Sequence, residues 1–165
     1  MDSLNSTPDD EEKHFYYMGL ALLEAKKAME EDEVPVGAVL VRGNEILAQA
    51  HNQTVQKKSP LAHAEMLVLE EASQKLNGWR LLDTVLYVTL EPCSMCAGGL
   101  VLARIQRIVF SLPDAKSGAC GSVFNLVQEV RLNHRMDVIS GIRAEESLYL
   151  LQDFFRQKRQ KKRLI

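Results

Sequence analysis

The sequence predicts an α/β domain of three layers, α/β/α, around a central mixed five-stranded sheet. Two observations lead to this. After an opening helix and hairpin, apolar patterns of strand and helix period alternate along the chain. The residues suited to chemistry also gather where a strand or loop passes into a helix N-terminus, which is where open α/β sheets place their ligands. A chain of 165 residues, 46% hydrophobic and 25% charged, is enough for one ordinary core.

The elements follow in order. Residues 1–12 are polar and acidic and contain Pro8, so they are expected to form a flexible acidic leader, with the main domain spanning 13–160. Phe15, Met18, Leu22, Ala25 and Met29 recur at steps of three and four and predict a helix over about 13–30. Val34–Val41 is rich in β-branched residues, and Gly43-Asn44 supplies a turn before Glu45–Ala50, which together predict a hairpin. Ala62, Met66, Leu69, Ala72 and Leu76 form a second helical stripe, with Asn77-Gly78 as its stop. Thr84–Leu90 is a buried strand, Ser94–Leu102 a short helix, and Arg107–Ser111 and Asp137–Ser140 two more strands. Leu148, Leu151 and Phe155, beside Leu150 and Phe154, predict a last helix that runs into a basic tail end at 161–165. Trp79 and Met95 are expected to be packing residues, and Cys120 a free thiol.

The formal net charge of -2 hides an asymmetry. Residues 1–12 carry five acids and no base, whereas 156–163 carry six bases and no acid, leaving a mildly acidic body. No apolar run approaches the roughly 18 residues of a membrane span. The first residues have neither a basic nor an apolar signal region, so the expectation is a soluble protein of the cytoplasm. Three cysteines, two of them three positions apart, suit metal or redox chemistry in a reducing compartment better than a disulfide framework.

His63 and Glu65 stand at the start of the second helix, and Cys93 and Cys96 at the start of the third. Helix N-termini favour negative charge and so favour thiolates. Sulfurs at i and i+3 share one side of a helical turn and can reach one ion. One imidazole and two thiolates suit zinc, and three protein ligands on a tetrahedral ion leave a position open for water. Glu65, two residues from His63, is badly placed as a fourth ligand and better placed to take a proton from that water.

The pattern His-x-Glu followed by Pro-Cys-x-x-Cys is the signature of zinc nucleobase deaminases. Further blocks narrow the likeness: VPVGAVLV at 34–41, HN at 51–52, AHAE at 62–65, LYVTLEPCSMCAG at 86–98, DAKSGACGS at 114–122, NHR at 133–135 and DFFRQKR at 153–159. Over about 13–160 the chain resembles the bacterial tRNA-specific adenosine deaminases, zinc enzymes of the cytidine/deoxycytidylate deaminase superfamily. The resemblance implies a cytidine-deaminase-like fold and one zinc ion per subunit on His63, Cys93 and Cys96. It implies hydrolysis of the wobble adenosine of an arginine tRNA anticodon to inosine, with zinc-activated water attacking C6 and Glu65 shuttling protons. It further implies that Asn52 and the backbone at Ala64 hold the base, that Val36 and Leu90 line its pocket, and that Asp114, Lys116, Lys158 and Arg159 lie near the anticodon stem-loop. A homodimer is also implied. The sequence departs from the family pattern at Gln53, where Arg is frequent, at Ser59 and Leu61, where Asp and Thr are, and at Cys120, which replaces a small residue.

Plainer readings compete. The Cys-x-x-Cys pair alone also fits a redox motif, or a structural zinc knuckle with His134 as fourth ligand. His14, His51 and His134 read as ordinary polar or capping residues, and Asn52 taken alone as a turn former. A small-molecule enzyme such as guanine deaminase, or a non-catalytic zinc protein that binds RNA, are the alternative functions. The intact Glu65 argues against the second.

Overall fold

In the structure, a computed structural model that describes residues 8–163, the sheet runs β2-β1-β3-β4-β5 with helices on both faces. The elements are α1 (Pro8–Glu30), β1 (Gly37–Arg42), β2 (Glu45–His51), α2 (Ala64–Lys75), β3 (Thr84–Leu90), α3 (Ser94–Ala103), β4 (Arg107–Leu112), β5 (Asp137–Ser140) and α4 (Ala144–Arg163). Strands β2, β1 and β3 are antiparallel neighbours, and β3, β4 and β5 are parallel. This is the expected mixed five-stranded sheet. Alternation along the strands sends Ala38, Leu40, Leu86, Val88, Ile108 and Phe110 into the core under α2 and α3. Val39, Val41, Tyr87 and Val109 face the opposite way, under α1 and α4.

Gly43, at φ +61°, occupies the first position of the two-residue turn between β1 and β2, a conformation that glycine adopts without Cβ strain. The pairing then shifts register after Leu40↔Ala48, since Val41 faces Ile46 and Leu47 is the extra residue of a bulge.

Several boundaries differ from the sequence expectation. Helix α1 begins at Pro8, so residues 8–12, expected in the leader, are helical; residues 1–7 lie outside those described. Asp9, Asp10 and Glu11 complement the helix dipole in its first turn, and Asp9 pairs with Lys13 one turn on at 3.0 Å. Lys161–Arg163 likewise continue α4, and residues 164–165 are not described. Strand β1 starts at Gly37 instead of Val34. The expected stripes also sit slightly out of phase. In α1 the buried face is Tyr17, Met18, Ala21, Leu22, Ala25 and Ala28, while Phe15 is exposed and lies under the Arg143 guanidinium. In α4, Ser147, Leu150 and Phe154 are buried, whereas Leu148 and Phe155 face outward. Trp79 is not a core residue; it is 58% exposed, with Arg80 over its ring.

One end of the sheet collects the chemistry. Because β3 and β4 are parallel, Glu91–Cys93 and Asp114 emerge together. Because β1 and β2 pair antiparallel with Gly37 opposite His51, Val36 and Asn52 emerge at that same end.

Candidate active site

His63 is the N-cap of α2 and Cys93 the N-cap of α3, both in extended backbone conformation. Neither side chain caps its own helix. Both turn instead toward a shared point, where Cys96, three residues into α3, brings a second sulfur. His63 Nδ1 lies 3.6 Å from Cys93 Sγ and 3.4 Å from Cys96 Sγ. Zinc bond lengths of about 2.3 Å to sulfur and 2.0–2.1 Å to nitrogen, at tetrahedral angles, place such donors about 3.5 Å apart. The three side chains therefore have the spacing of a metal centre, and they are the one such cluster among the described residues. Hydrogen bonds from Cys96 and His63 pull the Cys93 thiol down to about 4, while its bond to Cys93, together with burial, pushes Cys96 upward. The sulfurs thus share a proton that a divalent cation would release.

Next to these donors is a pocket of about 210 Å³ lined by Val36, Asn52, Ala64, Glu65, Leu90 and Asp114, among others. It is smaller than the roughly 300–1,000 Å³ of drug-sized ligand sites, so it suits one planar base and leaves any attached sugar and phosphate outside. Larger grooves of about 510, 540 and 490 Å³ contain none of the side chains of His63, Cys93 and Cys96. Glu65 is buried in the pocket wall at 4% exposure. Burial pushes its carboxyl up to about 6, against the pull of its own backbone N–H and of His63. A carboxyl tuned this close to neutrality can both take and give a proton.

Two acids that the sequence reading missed hold the pocket walls. Glu33, fully buried, accepts hydrogen bonds from Asn52 Nδ2 and Thr54 Oγ1, each at 3.3 Å, and from the Gln56 N–H at 2.8 Å. Glu91, 2% exposed, accepts from the N–H groups of Asp114 (2.9 Å), Cys120 (3.0 Å) and Ser122 (3.0 Å), and from the Ser122 hydroxyl. It thereby fastens the 113–125 loop beside the metal donors.

The profile of the MafB19-like deaminase family matches residues 12–159. A tRNA-specific adenosine deaminase of Bacillus subtilis (strain 168) is 52% identical over 147 residues, covering 89% of this chain and 91% of the relative. One of Aquifex aeolicus (strain VF5) is 48% identical, covering 87% and 95%. The chain belongs to the tRNA-specific adenosine deaminase family. A solved structure from a study of A-to-I editing by tRNA:A34 deaminases at the wobble position superposes on this deaminase with a TM-score of 0.80 and 42% identity. It covers 82% of this chain and 99% of that one. The guanine deaminase of Bacillus subtilis is more distant, with a TM-score of 0.59 and 30% identity over 61% of this chain.

Of the residues singled out in the sequence, the deaminase brings together His63, Cys93, Glu65, Asn52, Ala64, Val36, Leu90 and Asp114 around the pocket, with Cys96 behind it. Lys116, Lys158 and Arg159 do not line it. Lys116 is exposed, and its N–H bonds the Asp114 carboxylate, which also accepts from the Ser117 hydroxyl at 2.6 Å. Lys158 pairs with Asp32 at 2.6 Å, one residue before Glu33, so the basic end of α4 reaches the turn behind the pocket. Arg159 is exposed on the same helix. His134 Nε2 lies 2.6 Å from the Ile105 carbonyl and outside the metal cluster, which removes the knuckle reading. Cys120 is a buried free thiol, as expected.

Proposed function

We propose that this enzyme hydrolyses the wobble adenosine of a tRNA anticodon, that of an arginine tRNA, to inosine. The reading rests most on Glu65, a buried carboxyl tuned to about 6 in a base-sized pocket beside a three-donor metal cluster. His63, Cys93 and Cys96 would hold zinc, which in such a site lowers the pKa of a bound water to about 7. Glu65 takes the proton that water gives up and delivers it to N1 of adenine. As the C6–O bond forms and the C6–N bond breaks, Glu65 takes the second proton from the new C6 oxygen and gives it to the departing amine, which leaves as ammonia. The Asn52 carboxamide and the backbone at Ala64 orient the base, and Val36 and Leu90 flank its faces.

The pocket accepts little beyond the base, so the nucleotide must be turned out of its stack, with the rest of the anticodon stem-loop on the surrounding surface. Lys116 and the basic end of α4, Lys158 and Arg159 included, are the groups suited to its phosphates. Asp114 organises the loop that carries Lys116. The partner we propose for the groove of about 510 Å³ between α2 and α3 is a second copy of the chain, since Leu61, Trp79 and Leu102, all more than half exposed, border it. No helix among the described residues is long and apolar enough to cross a membrane, and the cytoplasm, where tRNA is found, is the proposed location.

Glu65→Ala tests the mechanism. On an anticodon stem-loop it should lose inosine formation by at least about 10²-fold, the usual weight of a general acid–base group, while retaining one zinc per chain by elemental analysis. Inosine formed at a comparable rate by that variant would refute the role.

A further inference from the structure

We propose that His51 is a positioning residue, fixed between Glu24 and Glu31, that sets the orientation of Asn52 in the base pocket. The inference rests on the reading of Asn52 as a base contact. His51 ends β2 with its side chain 11% exposed, Nδ1 at 2.9 Å from Glu24 Oε2 and Nε2 at 2.7 Å from Glu31 Oε2. Ionised carboxylates only accept hydrogen bonds, and only the imidazolium carries an N–H on both nitrogens. Burial opposes the charge, but the bonds to Glu24 and Glu31 outweigh it and raise the pKa above the ordinary histidine value. The charged groups around the ring are Glu24 and Lys27 from α1, Glu31 from the turn that follows it, Lys57 from the segment after β2, and Glu70 and Glu71 from α2. Acids outnumber bases, and Lys27 is itself bound to Glu24 at 2.6 Å.

The connection to the pocket is short. Glu31 also accepts from Gln56 Nε2 at 2.8 Å, and Glu33, on the same turn, accepts from the Gln56 N–H and Asn52 Nδ2. The Asn52 N–H is held by the Val36 carbonyl at 3.0 Å. The turn that carries Glu31 and Glu33 therefore meets residues 51–56 at both ends, with His51 joining one and Asn52 the other. When His51 loses its proton, one ring nitrogen presents a lone pair to a carboxylate. Glu31, whose side chain is 38% exposed, is the freer of the two to move away. The imidazolium is present below its raised pKa and is lost as pH rises through it, so base binding should weaken on the alkaline side.

The test follows the zinc-loaded, isotopically labelled protein by NMR through the His51 titration, together with KM and kcat for an anticodon stem-loop. The expected result is that the Asn52 side-chain amide signals move with the His51 midpoint. KM should rise about three- to tenfold across it, the size of one ordinary hydrogen bond lost, while kcat changes less than about twofold. Glu31→Gln, which keeps a partner in place without the charge, should shift both midpoints to lower pH together, and His51→Gln should remove the break. Asn52 signals that stay fixed while His51 titrates would overturn the proposal. If the unmodified protein made no inosine, the proposed function would fail, and the NMR arm would still decide the role of His51.

Discussion

Glu91 is the residue on which the pocket's outer wall depends most. Its carboxylate is the common acceptor for donors at positions 114, 120 and 122, and Gly118 passes so close that a Cβ there would overlap that carboxylate and the Asp114 carbonyl oxygen. Glu91→Ala leaves these N–H groups without a partner, and a cost of about 2–4 kcal/mol is expected, since one buried orphan costs about 1–3 kcal/mol and some of these are only partly buried. Gly118→Ala should displace the same loop. Thermal or denaturant unfolding checks both, and a Glu91→Gln variant, which keeps one oxygen acceptor, should fall between wild type and Glu91→Ala. Wild-type stability in Glu91→Ala would show that the loop does not depend on this carboxylate. Glu91 and Glu33 were not legible in the sequence, because an acid read alone is a solvated acid. Only the backbone and side-chain donors that tertiary structure brings to them make burial tolerable. That His63, Glu65, Cys93 and Cys96 gather at two helix starts was legible because local spacing places each pair there.

At the scale of elements, α4 is where sequence and structure must be combined. Its six bases all lie on the helix, but they are not equivalent. Arg156 pairs with Asp153, and Lys158 and Lys161 face Asp32 at 2.6 and 3.8 Å. Replacing Arg159, Lys162 and Arg163 by Gln should therefore reduce the salt dependence of stem-loop binding without loosening α4, by about 2 in the slope of log K against log salt, at roughly 0.7–0.9 per phosphate contact. An unchanged slope would remove α4 from the RNA-binding surface. Replacing Lys158 should also release the tie to the α1–β1 turn. The existence and order of the elements could be read from periodicity, whereas their phase could not. In Phe15-Tyr16-Tyr17-Met18 and Phe154-Phe155 adjacent apolar residues compete for one face, and only packing against the sheet selects Tyr17, Met18 and Phe154. The early start of α1 was hidden because acids that look disordered in sequence favour a helix N-terminus.

For the whole molecule, the mixed sheet explains why residues from distant parts of the chain meet. Parallel β3 and β4 with antiparallel β1 and β2 bring the segments after positions 51, 90 and 112 to one end, with the metal donors on the two helices that start there. That strands would alternate with helices was evident from the sequence; the pairing order depends on long-range contacts that periodicity does not record. The apolar α2–α3 groove was also invisible, since Met66 read as part of a helical stripe, Trp79 as a packing residue, Leu61 as a departure from the family pattern and Leu102 as the end of a short helix. If two copies meet there, Leu102→Asp should shift the protein from dimer to monomer in sedimentation velocity, because it places a charge in a desolvated contact. A dimer that persists unchanged would place the interface elsewhere. The near-neutral net charge takes its meaning at this scale: its cations are concentrated on one helix, α4, and under the proposed function they would position phosphates while the pocket discriminates the base.

The substrate proposed for the pocket is an adenosine presented by folded RNA. The most direct test incubates the zinc-loaded protein with an arginine tRNA anticodon stem-loop, with free guanine and with cytidine, and follows each by mass spectrometry of the nucleosides and bases. Inosine should form at the wobble position, with guanine and cytidine unchanged. Conversion of guanine to xanthine, with the stem-loop left intact, would contradict it.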